Sequence, residues 1–512
     1  MRIHRKIAEM MAIDYQPFSI VSDIGFTRLL KTLEPRYNLP SRKYFTENVV
    51  PRIKQDIDTR LAEVIKDVPF ISLTTDIWST NLTNESLISM TAHWVNESFN
   101  RLSAVLHAQK IEGSHSGIAI CRVLEAMLDT WNISKDRVHL VLSDNASNMK
   151  KALREAHLVA QGCFAHSLQL VVNDGVLSQR SVIDTLAVSR KIVGHFKHST
   201  LAYYKLDEIR GRLNIKKHKL QQDEPTRWNS TLHMLQSIYE QKMALAAYAT
   251  EHGGITMLTA NQLEITRMVI TALEPVEEVT KMISTESASI SMLIPLVKIL
   301  EKVLNKHDDD SGIQTMKTVM LTSLQQRFKD IEGEESDVLL ISTAIDPRFK
   351  DKFFTREAKK LAKKFIIDQC TSVEGEDNGP QRKRSRTIST QPDAASSSKI
   401  LECFPEILQD SGATTDTDGG VEAMVDKYFA EPLIEYTSGS PYKWWNDNKP
   451  RRYPLLASMA KRYLSVPPAS VPSERLFSGA GNLYDEHRNK LTAEHAEMLL
   501  CIKYNISLIS LS

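Results

Sequence analysis

The 512-residue chain has little cysteine and almost no net charge. Its five cysteines, at positions 121, 163, 370, 403 and 501, lie far apart. That excludes a disulfide-stapled scaffold and fits a reducing compartment. Lys and Arg number 64 against 63 Asp and Glu, a formal charge of +1. No global field therefore draws the whole chain to nucleic acid or membrane, and any basic surface is local. The sequence has no apolar run of ~18 residues and no signal-peptide core, so the expectation is a soluble intracellular protein with no membrane partner. No repeat of fixed period is visible. Residues 1–65 hold no cysteine, so that segment contains no zinc finger. What is present is ordinary for globular protein: 42% hydrophobic and 25% charged residues, over a length suited to about three domains.

The most informative stretch is Val68–Thr80. Ile71, Leu73, Thr75 and Ile77 alternate with Ser72, Thr74, Asp76 and Trp78, a period of two that predicts a strand with one apolar face. Asp is depleted in strands, so Asp76 asks for a reason. Two further alternating runs follow, Ser86–Val95 and Arg101–Lys110, joined by the turn Asn96–Asn100. A helical stripe from about Ser116 to Asn132 comes next, with Ser114 or Ser116 as cap. A near-continuous apolar strand, Val138–Leu142, then ends at Ser143-Asp-Asn-Ala-Ser-Asn-Met149. After a helix over Ala146–His157, a short fifth strand within Leu158–His166 leads into a helix to about Leu177. Three strands, a helix, a strand and an acid at its end is the order of a ribonuclease-H-like core, with Asp76 and Asp144 on neighbouring strands.

The expected organisation has five parts. Residues 1–65 are a helical, polar segment, and 66–180 hold the first part of the α/β core. Residues 181–370 are an all-helical insertion, with amphipathic segments near 182–196, 229–250, 259–285, 288–306, 313–330 and 355–370. Residues 371–400 are too polar to order themselves, and 401–512 return to apolar helices that close with Thr492–Tyr504. The fold class is thus α/β plus all-α. Within 371–400 the run Arg382, Lys383, Arg384 and Arg386 reads as a nuclear import signal, with a solvated charge cluster as the alternative.

Taken singly, the carboxylates are ambiguous. Asp76 could be an edge-strand charge, Asp144 a turn or cap, and Glu474 a solvated helix residue. Brought together, three carboxylates would hold two divalent metals about 4 Å apart for in-line attack on phosphodiester. Mg²⁺ suits such a site. Cys163-Phe-Ala-His166 has metal-like spacing, but a closed zinc site needs four ligands, so a buried thiol and a satisfied histidine are expected. Thr226-Arg227-Trp228-Asn229 follows the basic loop Lys216–Lys219. Two readings stand there: a cap with Trp228 in the helical core, or a ring beside a cation on which an unpaired base stacks. The apolar helices near Trp444 and Trp445 are core by default, with some surface left for a partner subunit.

With these residues in view, the chain resembles the hAT superfamily of DNA transposases, in particular the zinc-finger BED domain-containing proteins derived from it. The carriers are Leu73-Thr-Thr-Asp-Ile-Trp78, Ser143–Met149, Cys163-Phe-Ala-His166, Thr226-Arg-Trp-Asn-Ser230 and Pro472-Ser-Glu-Arg-Leu-Phe-Ser478. Ile7–Ser19 is similar to the segment that follows the BED finger in those proteins, and the finger itself is not among these residues. The resemblance implies a ribonuclease-H-like catalytic core interrupted by a helical insertion, with a C-terminal dimerisation region from about Trp444. It implies Asp76, Asp144 and Glu474 as metal-binding acids, Arg227 and Trp228 as DNA contacts, and a structural role for Cys163 and His166. The favoured expectation is a nuclear, DNA-binding, homodimeric or larger regulatory protein of transposon origin. The alternative is a working transposase that cuts and joins DNA with Mg²⁺.

Overall fold

The computed structural model describes residues 2–79, 86–224, 227–306, 311–374, 420–436, 438–448, 452–484 and 491–510. The import-signal residues Arg382, Lys383, Arg384 and Arg386 lie outside these. The chain forms two compact units: Met1–Cys163 together with Ser440–Ser512, and Phe164–Gly439.

The first unit is built on a five-stranded sheet in the order β3-β2-β1-β4-β5. The strands are β1 Ile71–Ser79, β2 Ser86–Val95, β3 Arg101–Lys110, β4 Val138–Ser143 and β5 Ala160–Gly162. β1 pairs antiparallel with β2 and parallel with β4, where Thr74 sits opposite Leu142. β1 is therefore central, which removes the edge-strand reading of Asp76. Alternation along β1 and β2 sends Ile71, Leu73, Ile88, Met90, Ala92 and Trp94 to one face. There they meet the helices Gly117–Thr130 and Ser147–Glu155, through Ile120, Leu124, Met127, Leu128, Ala152 and Leu153. Ser116 caps the first of these, its side chain accepting from Ala119 N.

The other face is closed by both ends of the chain. The helices Arg2–Ile13 and Val50–Lys66 bring Ile7, Met11, Ile53 and Ile57, the last pair at the helical spacing of one buried stripe. The helices Val471–Leu483 and Ala493–Ser510 bring Leu476, Phe477, Leu499 and Leu500 into the same cluster. Tyr15 reaches against Gly479, where a Cβ would lie 2.0 Å from its hydroxyl. The N-terminal 65 residues are thus part of this core rather than a separate segment. The apolar side chains expected to serve a partner are here largely covered by the chain itself. The outer edge of β3 is also closed: Asn505 accepts from Val105 N (2.9 Å) and donates to Val105 O (2.7 Å), and Glu497 accepts from Ala108 N (3.1 Å). Two side chains thereby satisfy edge groups that would otherwise invite another strand.

The second unit is helical wherever it is described and regular. It begins at Phe164 rather than near 181, because the helix Phe164–Ser178 packs on Gln314–Arg327 so closely that a Cβ on Gly175 would lie 2.2 Å from Met320 Cγ. Phe164 and Phe328 meet edge-on at 5.3 Å. The helix Val421–Ala430 also belongs to this unit. Lys350, fully buried, donates to Tyr428 O (2.7 Å) and Glu431 O (2.6 Å) at that helix's C-terminus, where the dipole favours a cation. Burial nevertheless pulls the Lys350 ammonium down to about 8. Helices Thr200–Arg212 and Asp337–Ala344 were not foreseen, and the expected 229–250 helix is two, Trp228–Glu240 and Lys242–His252.

Candidate functional site

The face of the sheet that carries Asp76 gives Leu87, Val105 and Ala108 to the apolar cluster and also bears a patch of buried hydroxyls. Ser72, Thr74, Ser89, Thr91 and His93 point there, all buried. Thr74 Oγ1 lies 2.5 Å from Thr91 Oγ1 and 2.9 Å from Ser473 Oγ, and Ser72 Oγ lies 2.6 Å from Ser465 Oγ. Thr91 in turn bonds His93 Nε2 at 2.9 Å, and burial holds that imidazole neutral, well below its usual titration range. These bonds pin the helix Val471–Leu483 to β1. Trp78 stacks on Phe477, with ring centroids 6.1 Å apart and planes 16° apart, and fixes the helix's rotation.

That register places the acids. Asp76 is two residues past Thr74 along β1, and Glu474 follows Ser473 in the first helical turn. Asp144 follows the end of β4, whose partner is β1. Its Oδ1 accepts from Ala146 N at 3.2 Å, which shapes the turn into the next helix. Asp76 and Asp144 are half-buried, and Glu474 is exposed. Burial pushes the Asp76 carboxyl up, the negative charge of Asp144 adds to this, and Glu474 adds again. A bond from Ile77 N (2.8 Å) works the other way, and the result is about 7. Like charges that share a field raise one another's proton affinity. Among the described residues no three His, Cys, Asp or Glu side chains form a ready-made metal site. The donor chemistry nonetheless suits a hard divalent cation, which would relieve the repulsion that Asp76 feels.

The Cys163–His166 pair is divided between the units. Cys163 is buried, and its Sγ accepts from Ser470 N at 3.3 Å. His166 is half-buried in the first turn of Phe164–Ser178. In the second unit, Trp228 opens its helix, with its N–H donating to Gln169 Oε1 at 3.0 Å. Its side chain is only 5% exposed, whereas Arg227 beside it is exposed. Stacking of a base on Trp228 therefore requires its cover to move aside. The hydroxyl contacts of Thr74, Ser473 and Ser465, and the thiol bond to Ser470, were missed by sequence reasoning. The one signal for them was the run of small polar residues at every second position of β1 and β2.

Three regions match known families. Residues 74–170 match the ZBED1 RNase-like domain, 161–272 the ZBED1 RNase-like helical domain, and 424–506 the hAT family C-terminal dimerisation region. The chain thus carries a hAT family dimerisation region behind two ZBED1 RNase-like regions. It is 32% identical to zinc finger BED domain-containing protein 4 of Homo sapiens, over 99% of its own length and 44% of that protein. It is 26% identical to zinc finger BED domain-containing protein 6 of Homo sapiens, over 98% and 55%. A Zea mays protein named as an AC transposase is 24% identical, over 95% and 63%. The chain thus spans about half the length of these curated relatives. Its dimerisation region supports self-association, and no helix among the described residues is long and apolar enough to cross a membrane.

Proposed function

We propose that this chain is a transposase-derived protein that binds DNA in the nucleus as a homodimer or larger homo-oligomer and regulates rather than transposes. Its domain order supports this, a ribonuclease-like region followed by a helical region and a dimerisation region. The observation that carries the regulatory choice is the higher identity to the zinc finger BED domain-containing proteins than to the AC-named protein. In this reading the first unit is a ribonuclease-H-like core and the second its insertion. Arg227, exposed next to Trp228, meets the DNA.

A second reading, the active transposase, is favoured by one feature of the site. The charges of Asp144 and Glu474 both raise the affinity of Asp76 for a proton, which supports reading the three as neighbours. These residues would hold Mg²⁺, which would supply an activated oxygen nucleophile and a clamp on the leaving oxygen. The chain's own contribution is to bury Asp76 and to fix the turn after Asp144.

The test is a set of DNA duplexes titrated with protein in Mg²⁺ and in Mn²⁺. Binding that weakens steeply with salt, through released counterions, with no strand cleavage, is the expected result. Arg227→Ala is expected to weaken binding several-fold. Cleavage that disappears in Asp76→Asn would install the transposase reading instead. No DNA binding at any salt would remove both.

A further inference from the structure

The thiol of Cys163 joins the two stretches of chain that carry Asp144 and Glu474. Cys163 N donates to Ser143 O at 2.7 Å, one residue before Asp144, and extends the β4–β5 ladder past Ser143 and Gly162. Cys163 Sγ accepts from Ser470 N at 3.3 Å. Ser470 is the residue at which the helix Val471–Leu483 begins, and its carbonyl receives Glu474 N at 3.1 Å. The first amides of a helix have no partner within it. In a capping box the N-cap N–H is taken by a Glu or Gln side chain three residues on. Here that position is Ser473, whose hydroxyl is engaged with Thr74, and no side chain caps the helix. The thiol takes the N–H instead, from a position that is 0% exposed, where an orphaned amide is costly.

We infer that Cys163 is a positioning residue: it holds the start of the Glu474 helix against the end of the Asp144 strand, and so sets the spacing of the acids. The hydrogen-bond part of this stands on the geometry. Only its consequence for metal rests on the proposed reading of the acids as a cation site.

Two substitutions separate position from packing. Cys163→Val stays apolar, adds one heavy atom and loses the acceptor, while Cys163→Ser keeps an acceptor at nearly the original size. Hydrogen exchange is read on amides of Ser470–Phe477, and on Gly117–Thr130 and Leu456–Tyr463 as references. Cys163→Val is expected to lose about tenfold in protection at Ser470–Phe477, with the references unchanged, and Cys163→Ser to recover part of it. The Mn²⁺-induced shift in melting temperature is expected to shrink in Cys163→Val and return in Cys163→Ser. Equal losses at all three segments would make Cys163 a packing residue and overturn the inference, as would no loss anywhere. A local loss of protection with no Mn²⁺ response in the parent would uphold the positioning and sink the cation reading alone. Should Cys163→Val fail to fold, Ser470→Pro removes the same bond from its other end, since the native φ of −74° suits proline. The same local loss is expected, and its absence would overturn the inference.

Discussion

The two faces of the central sheet are closed in different ways. On one, Trp94, Met90 and Leu73 meet Leu124, Met127 and Leu128 in an apolar cluster. On the other, Ser72, Thr74 and Thr91 meet Ser465 and Ser473, and Trp78 meets Phe477. The buried residues of the first face all lie between Leu61 and Leu158, with Leu508 packed against them. The second binds residues nearly four hundred apart, as in Ser72–Ser465 and Thr74–Ser473. Apolar contact is tolerant of small shifts, whereas hydrogen bonds between short side chains accept one register. Apolar contact on both faces therefore holds the sheet together, and the hydroxyl patch on the second fixes where the acids stand.

Three substitutions sharpen or break that contrast. Trp94→Ala, at a side chain 1% exposed, is expected to cost about 3–5 kcal/mol, read as lost hydrogen-exchange protection across β1 and β2. A cost under about 1 kcal/mol would show that the apolar face does not carry the fold.

Asp76→Asn tests the other face through pH. The ordinary carboxyl value is 3.8 and the folded value about 7. The folded protein therefore keeps a proton that the unfolded chain has released between these values, and stability falls as pH rises through that window, then levels off. Asn has no such proton. The variant is expected to match the parent near pH 4 and to exceed it above pH 7 by on the order of 4 kcal/mol. It is also expected to lose most of any stabilisation by Mn²⁺. Parallel pH curves for the two proteins would mean that neither burial nor the neighbouring acids shift Asp76.

Thr74→Val is the smallest effect, about 1–2 kcal/mol, since it deletes two buried hydroxyl contacts while nearly keeping volume. Exchange should rise in Val471–Leu483 and not in Gly117–Thr130. A neutral result would mean that Trp78 and Phe477 alone place the Glu474 helix.

Much of this was legible in the residues. Strands β2 and β3 fall on the ranges that period-two alternation predicts, and of the two expected caps, Ser114 and Ser116, it is Ser116 that caps the helix. Such patterns are local, and a strand buried on one apolar face writes them plainly. The alternation of β1 was legible too, but not what covers its polar side: the apolar pattern suggested one buried face, while Ser72 and Thr74 are 0% exposed because helices from the far end of the chain lie on them. No local pattern encodes a partner nearly four hundred residues away. Glu474 shows the same limit. Its own sequence reads as an ordinary helix acid, and the family resemblance rather than any periodicity singled it out. The missed break at Gln241 between two helices has a different cause, because that residue carries no Gly or Pro signal.

The closing of the β3 edge by Asn505 and Glu497 has a consequence for synthesis. A ribosome makes β1 to β5 early, then the whole second unit, and only then the residues that cover that edge. Roughly 340 residues separate Cys163 from Asn505, and at ~5–20 residues per second the wait is on the order of 20–70 s. Through that interval the nascent sheet offers bare amides at Val105 and Ala108 and an unroofed hydroxyl face, the features a chaperone shields and a neighbouring nascent chain can pair with. A message that stops short of codon 497 leaves that edge open for the life of the protein.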